Sequence, residues 1–205
     1  MAKIKFTKGE LKKQRDVLKQ FTHYLPILQL KKQQLQLEIQ RVRKNVDLKS
    51  GEINNLEDEI EKWAGVLKEP VEGFSSWIVP TKVARKKLNI AGVDIPLLEG
   101  VEFAEVEYDL FATPLWADIA IETIRRLVLL LEEKKVLEEQ LEILRRELRI
   151  TTQRVNLFEK VKIPECKENV RLIRIYLGDQ QTNAVGRSKI AKSKIENLIL
   201  EGIAS

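Results

Sequence analysis

The chain has 205 residues, of which 33% are charged and 6% aromatic, with nine glycines, six prolines and a formal net charge of +5. Leu, Ile, Glu, Lys, Gln and Arg dominate, which is the composition of long amphipathic helices rather than of sheets, so the expected class is all-α with a small β insertion. One cysteine, Cys166, excludes an intramolecular disulfide and a zinc site, and fits a reducing compartment.

The opening "MAKIKFTKGE" has no apolar core of signal-peptide length, and the longest purely aliphatic run, Leu127 to Leu131, is far short of the roughly 20 residues that span a bilayer. These features predict a soluble chain on the cytoplasmic side, without a direct membrane span. The first 20 residues carry Lys3, Lys5, Lys8, Lys12, Lys13, Arg15 and Lys19 against Glu10 and Asp16.

Stepping by seven from Leu11 gives Leu11, Leu18, Leu25, Lys32, Ile39, Val46, Ile53, Ile60 and Leu67, eight of nine apolar. A companion row runs Gln14, Phe21, Leu28, Leu35, Val42, Lys49, Leu56 and Trp63. A strict seven-residue period on a helix of 3.6 residues per turn predicts a left-handed two-stranded coiled coil. A helix from about Thr7 to Lys68 would be roughly 90 Å long and needs a partner of similar length. Pro26 points off the seam, where it should bend the helix rather than end it.

From "KEPVEG" the pattern breaks, and Pro70, Gly73, Pro80, Gly92, Pro96, Gly100 and Pro114 follow, seven of the chain's 15 glycines and prolines. Alternation within "KLNIAGVDI" and "GVEFAEVEYDLF" predicts a β-hairpin with strands at 87–95 and 101–110 and a bulge at Ala104. Asp94, Glu99, Glu102, Glu105, Glu107 and Asp109, with no basic residue between them, would line its exposed face. An isolated hairpin is marginal, so it must lean on the helices or on another protein.

Helical periodicity resumes with Pro114 as a first-turn proline and continues through Leu127, Leu130, Leu137, Leu141, Leu144, Leu148, Val155 and Phe158. Then "TTQRVNLFEKVKIP" intervenes, with two threonines, an Asn and a Pro that lower helix propensity. Beyond it Ile163, Cys166, Val170, Ile173 and Leu177 recover the spacing, but five residues separate Phe158 from Ile163 where three or four are expected. The helix is expected to continue across a slip of register that turns the apolar stripe to a new face. After Gly178 and Gly186, "RSKIAKSKIENLIL" reads as a last helical stretch.

The chain therefore reads as an N-terminal coiled-coil helix at 1–69, a β-hairpin insertion at 70–114, and a C-terminal coiled-coil helix with a basic tail at 115–205. Antiparallel pairing would put both basic ends at one tip and the acidic insertion at the other, with Pro26 and Pro164 at the same height. The seam would be built from Leu11, Leu18, Leu25, Leu35, Ile39, Val42 and Val46 against Leu141, Leu144, Leu148, Val155 and Phe158.

Catalytic chemistry has no motif to rest on. The sole histidine, His23, has no second histidine or carboxylate cluster, which favours a solvated side chain over a ligand or base. Cys166 sits on the apolar stripe as a small hydrophobe. No phosphate-binding glycine loop, zinc-protease motif or nucleophile elbow occurs. Trp63, Trp77 and Trp116 fall near the junction of helices and insertion and read as packing residues. The basic tip could contact phosphates, yet no aromatics interleave with the C-terminal cations, which argues against nucleic acid as partner.

Three blocks resemble the D subunit of the rotary V-type and archaeal-type ATPases or ATP synthases, the central rotor shaft. "TKGEL" matches through Thr7, Lys8 and Leu11. "TTQRVNLFEKVKIP" matches through Thr151, Thr152, Arg154, Val155, Asn156, Glu159, Val161, Ile163 and Pro164. "RSKIAKSKIE" matches through Arg187, Lys189, Lys192 and Lys194. The departures are Phe6, Gln153 and Phe158, and the insertion matches poorly.

The resemblance implies a shaft in the axis of a hexamer of catalytic and non-catalytic nucleotide-binding subunits. Its rotation would link ATP hydrolysis or synthesis to ion transport through a membrane ring, on the inner face of the membrane. It implies no catalysis and no cofactor in this chain. Lys8, Lys12, Arg187, Lys189, Lys192 and Lys194 would lie inside the hexamer. Arg154, Asn156 and the neighbouring turn would face the hexamer or a small rotor subunit on the side of the coil, and the hairpin would lie near the coupling subunit that joins shaft to ring. A structural coiled-coil spacer and a nucleic-acid-binding arm are the competing readings of the same pattern.

Overall fold

The computed structural model describes residues 5–65, 71, 73–105 and 113–203, the last six of these by their backbone alone. In chain order it contains α1 (Lys8–Trp63), the short α2 (Phe74–Ile78), β1 (Pro80–Ile90), β2 (Val93–Phe103), α3 (Ala117–Leu157), a π-helical turn (Phe158–Lys162) and α4 (Ile163–Ile203). Among the described residues the fold is helical with one two-stranded antiparallel sheet. No described helix is long and apolar enough to cross a membrane.

Thr7 starts α1: its hydroxyl oxygen accepts the Glu10 amide N–H at 3.2 Å, satisfying one of the first-turn donors that have no partner inside the helix. Every described residue of the two heptad rows is buried or half-buried, with Leu35, Val42, Ile53 and Leu56 buried. Regular α-helix ends at Trp63, and residues 66–68 of the expected helix lie outside the described residues.

The chain divides into two compact units, Leu30–Thr152 in one and Met1–Gln29 with Gln153–Ser205 in the other. In the first, α1 and α3 run antiparallel: Lys31 pairs with Glu147 and Lys49 with Glu133, each at 2.9 Å. Lys49 sits at a seam position, so its Nζ meets a carboxylate of the facing helix, a polar pair that favours one register over its neighbours. Leu35, Val42 and Leu144 form a core with Val93 and Ile95 of the hairpin, while Ile53, Leu56 and Leu130 form a second one.

The hairpin differs from the expected one. Its strands pair Ile90 with Val93 and Pro80 with Phe103, so the turn is Ala91-Gly92 and not the segment 96–100. Both turn residues have positive φ, 52° and 74°, the conformation that matches a two-residue turn to the right-handed twist of its strands. Asn89 supports it, its Oδ1 accepting the Gly92 N–H at 3.2 Å. A register shift falls at Ala84/Arg85 and not at Ala104, and residues 106–110 of the expected second strand lie outside the described residues.

The hairpin's charge also differs, because β1 contributes Lys82, Arg85, Lys86 and Lys87 beside the carboxylates of β2. Its turn packs back beside the middle of α1 and α3, rather than standing at the end of the helices. Three side chains bind it there. Arg85 reaches Glu139 at 3.1 Å, Gln140 donates to the Pro96 carbonyl, and Arg125 donates to the carbonyls of Trp77 at 2.8 Å and Ala104 at 2.7 Å while lying over the Phe103 ring. Pro114 precedes α3 instead of joining its first turn; its carbonyl accepts the Ala117 N–H.

In the second unit α1 pairs with the π turn and α4: Phe6 meets Tyr176, Gln14 Oε1 accepts from Asn169 at 3.5 Å, and Phe21 meets Phe158. The π turn corrects one expectation. Buried positions step by seven from Leu144 to Thr151 and on to half-buried Phe158, then by eight to Cys166, then by seven to Ile173. Ile163 N–H donates to the Phe158 carbonyl, five residues back, and this wider turn takes up the additional residue. The apolar stripe therefore keeps facing α1 instead of turning to a new face.

Pro26 and Pro164 are not level. From the Phe21–Phe158 contact they lie five and six residues away in opposite directions, roughly 15 Å apart along the helices.

Candidate interface on the basic helix ends

Tyr176 is the last α4 residue with a described contact to the N-terminal segment, through Phe6. From Gly178 to Asn197 every residue is exposed although the backbone stays helical. Among the described residues the side chains of this stretch bond only within one helical turn: Thr182 to the Gly178 carbonyl, Gln180 to Tyr176, Arg187 to the Asn183 carbonyl, Lys192 to Glu196.

Val185, Ile190 and Ile195 are each more than half exposed on it. A lone helix of this kind gains little from propensity and most from burying an apolar face against something else. Arg187, Lys189, Lys192 and Lys194 are all exposed on the same stretch, and Lys8 and Lys12 are exposed at the start of α1. The surface offers cations and isolated aliphatic side chains.

The residues of the "TTQRVNLFEKVKIP" block divide by position. Thr151 and Val155 are buried, Thr152 and Phe158 half-buried, and Arg154, Asn156, Glu159 and Pro164 exposed. Of the remaining seam residues, Leu144 is buried, while Leu11, Leu18, Leu25, Ile39, Val46, Leu141 and Leu148 are half-buried. His23 is exposed, its ring steeply inclined to that of Tyr24 with centroids 5.7 Å apart. Cys166 is buried, and that burial pushes its thiol pKa up, which keeps it protonated at neutral pH.

Of the tryptophans, Trp77 and Trp116 both meet Phe74, a residue that sequence reasoning missed. The signal available for it was the apolar-aromatic run "GFSSWI" between two proline-bearing segments.

A groove of about 430 Å³ lies between α1, α3 and β2, lined by Asn45, Lys49, Glu52, Leu97, Glu133 and Gln140 among others. Glu133 Oε2 is shielded from water and meets Lys49 Nζ at 2.9 Å as an ion pair rather than as an aligned hydrogen bond. Glu133 and then Glu52 push the Lys49 ammonium above the ordinary lysine range. Among the described residues no three His, Cys, Asp or Glu side chains converge as metal ligands would.

Residues 10–193 match the family described as the D subunit of ATP synthase. The chain is 49% identical to a V-type ATP synthase D subunit from Borreliella burgdorferi over 95% of its own length and 96% of the relative's. It is 34% identical to the protein of the same name from Chlamydia muridarum, over 95% and 97%. With that from Chlamydia caviae the identity is 32%, over 95% of each chain. A match across nearly the whole chain, at this identity, places it: the chain belongs to the family of ATP synthase D subunits.

Proposed function

We propose that the chain is the central-stalk rotor of a V-type ATP synthase complex, transmitting torque between the nucleotide-binding hexamer and the ion-translocating membrane ring. The observation that carries this reading is the helical stretch 178–197, exposed throughout and basic, which has no covering element among the described residues of its own chain. In the axis of a hexamer it would be covered on all sides, with Lys8, Lys12, Arg187, Lys189, Lys192 and Lys194 facing the surrounding subunits. A single chain has no threefold symmetry, so its faces present a different surface to each of three equivalent catalytic interfaces, and coupling follows from rigid-body rotation. The chain itself makes and breaks no bonds.

The other partners follow from exposed side chains. Leu37 and Leu48 stand out from α1 in the unit that carries the hairpin and suit the small rotor subunit on the side of the shaft. Arg154 and Asn156, exposed in the other unit, would face either that subunit or the hexamer. Val79, Ile119 and Leu115, the last 94% exposed, lie around the hairpin base and suit the coupling subunit. The complex so assembled sits peripherally on the inner face of the membrane.

The test is the double variant Lys189→Glu, Lys192→Glu, added to hexamer lacking this subunit. Helicity by circular dichroism is expected to match wild type, while hexamer binding and coupled turnover fall. Unchanged binding and turnover would return the basic stretch to ordinary solvated surface.

A further inference from the structure

We propose that Lys49 is the register key of the hairpin-bearing unit, the residue that fixes the height of α1 against α3. The apolar seam does not do so by itself. Its rows repeat every seven residues, Leu35, Val42, Lys49 and Leu56 in one and Ile39, Val46, Ile53 and Ile60 in the other. A slip of one heptad returns apolar side chains to apolar places along most of the contact.

Nor does the hairpin hold α1 at one height through directed contacts. Among the described residues its polar contacts with the long helices all go to α3: Arg85 to Glu132 and Glu139, Gln140 to the Pro96 carbonyl, and Arg125 to the Ala104 carbonyl at its base. With α1 it shares the apolar core of Leu35 and Val42, an attraction without direction. The hairpin therefore travels with α3. Two cross-helix contacts tie α1 to them, Lys31 with Glu147 and Lys49 with Glu133.

Of the two lysines, Lys49 stands on the seam row itself. Its place tolerates an ammonium: 31% of the side chain is exposed, and Nζ meets Glu133 and Glu52, each at 2.9 Å. One heptad along the row in one direction is the place of Val42, 3% exposed in the core shared with the hairpin. One heptad in the other direction is the place of Leu56, 6% exposed in the second core. Seven residues to either side of Glu133 stand Gln140 and Arg126, so neither place supplies a carboxylate. A slip would bury an unpaired ammonium, which is strongly unfavourable. Half-heptad slips are no better, because they set Lys49 level with Leu129 and Leu130 or with Val136 and Leu137.

Lys49 thus works by exclusion: a half-exposed ion pair adds little to the native register, while the same charge removes the alternatives. A slip would displace the surface of one helix by about 10 Å relative to the other. In a rotor whose faces are met at fixed heights by the surrounding subunits that would be a fault, a use that rests on the rotor reading above. The key itself does not rest on it.

Distances between spin labels on the full chain test the proposal. With Cys166→Ala, the labels go on Asn55→Cys in α1 and Arg149→Cys in α3, both exposed positions. Asn55 lies six residues past Lys49, and Arg149 sixteen past Glu133 on an antiparallel helix, so the labels stand roughly 33 Å apart along the axis at about 1.5 Å per residue. This background should give one distance. Removing the key, Lys49→Leu with Lys31→Met, should leave helicity and Tm at or above the background values and add a second distance about 10 Å away.

Moving the key by one heptad, with Lys31→Met, Lys49→Leu and Leu56→Lys together, should shorten the distance by about 10 Å, because the transplanted ammonium meets Glu133 only after α1 slips by seven residues. Glu133→Gln, which keeps Lys49 and removes its partner, should lower the Tm yet keep one distance, a separation that a merely stabilising ion pair would not give. An unshifted single distance in either key variant overturns the proposal, as does a second distance in the background chain. These readings come from the chain by itself, so a failure of hexamer binding would count against the rotor reading and leave this result standing.

Discussion

Replacing Leu144 with Ala removes three carbon atoms from the most enclosed part of the hairpin-bearing unit. Leu144 is 0% exposed and belongs to the core cluster that Leu35 and Val42 of α1 form with Val93 and Ile95 of β2. The lost transfer free energy is about 2–2.5 kcal/mol at about 0.8 kcal/mol per methylene. A residual cavity raises the total to about 3 kcal/mol, because helices pinned on two sides collapse only partly into the gap. That corresponds to a Tm lower by about 6–12 °C for a chain of this size.

The control is Leu37→Ala on the same helix pair, where the side chain is 67% exposed. It should change stability by less than about 0.5 kcal/mol. Urea unfolding followed at 222 nm gives both values. If the two substitutions cost the same, the hairpin is not packed on the helices as described, and the core assigned to that unit is wrong.

Other perturbations isolate single features. Ala91 has φ 52°, so Ala91→Gly should stabilise the hairpin by up to about 1 kcal/mol, read as slower amide exchange in β1 and β2; faster exchange would contradict the turn geometry. Arg125→Ala should free both ends of the insertion from α3, raising protease sensitivity near Trp77 and Ala104 while the helices stay intact. A double-mutant cycle on Lys49 and Glu133 should give a coupling of about 0.5–1 kcal/mol, the range for a half-exposed pair. The Lys49 pKa is raised on folding, so its contribution is complete at neutral pH and is lost as pH rises through the folded value; Cys166, also raised, has the same sign. Stability should therefore fall on the alkaline side, and a fall confined to the acid side would disprove these assignments.

The helical part was legible because a seven-residue period repeated over some eight heptads outweighs any single exception. The exceptions proved informative, since Gln14 and Lys49 both meet polar partners on the facing helix. The gap between Phe158 and Ile163 was legible as a slip, but counting alone does not say whether an added residue rotates the stripe or widens a turn. The backbone bond from Ile163 to Phe158 decides that.

The hairpin was misread for two physical reasons. Its turn, Ala91-Gly92, lacks the Asn-Gly pair that advertises two positive φ values, and β1, "PTKVARKKLNI", is too exposed and too basic to show alternation. Its docking depends on Val93 and Ile95 finding Leu35, Val42 and Leu144, contacts far apart in sequence that no local pattern encodes. The basic stretch 187–194 was visible as charge, while its exposure, with no covering element among the described residues, emerges only when the ends of α1 and α4 are compared.

The most direct test of the rotor reading is single-molecule rotation. The chain, with Cys166→Ala and a labelled cysteine placed at the exposed Lys87 on the hairpin, would be assembled with surface-anchored nucleotide-binding hexamer and a bead attached to the label. On adding ATP, the bead should turn in one direction with three equally spaced pauses per revolution. A chain that assembles with the hexamer yet leaves the bead without directed rotation, while the hexamer hydrolyses ATP, would contradict the rotor reading.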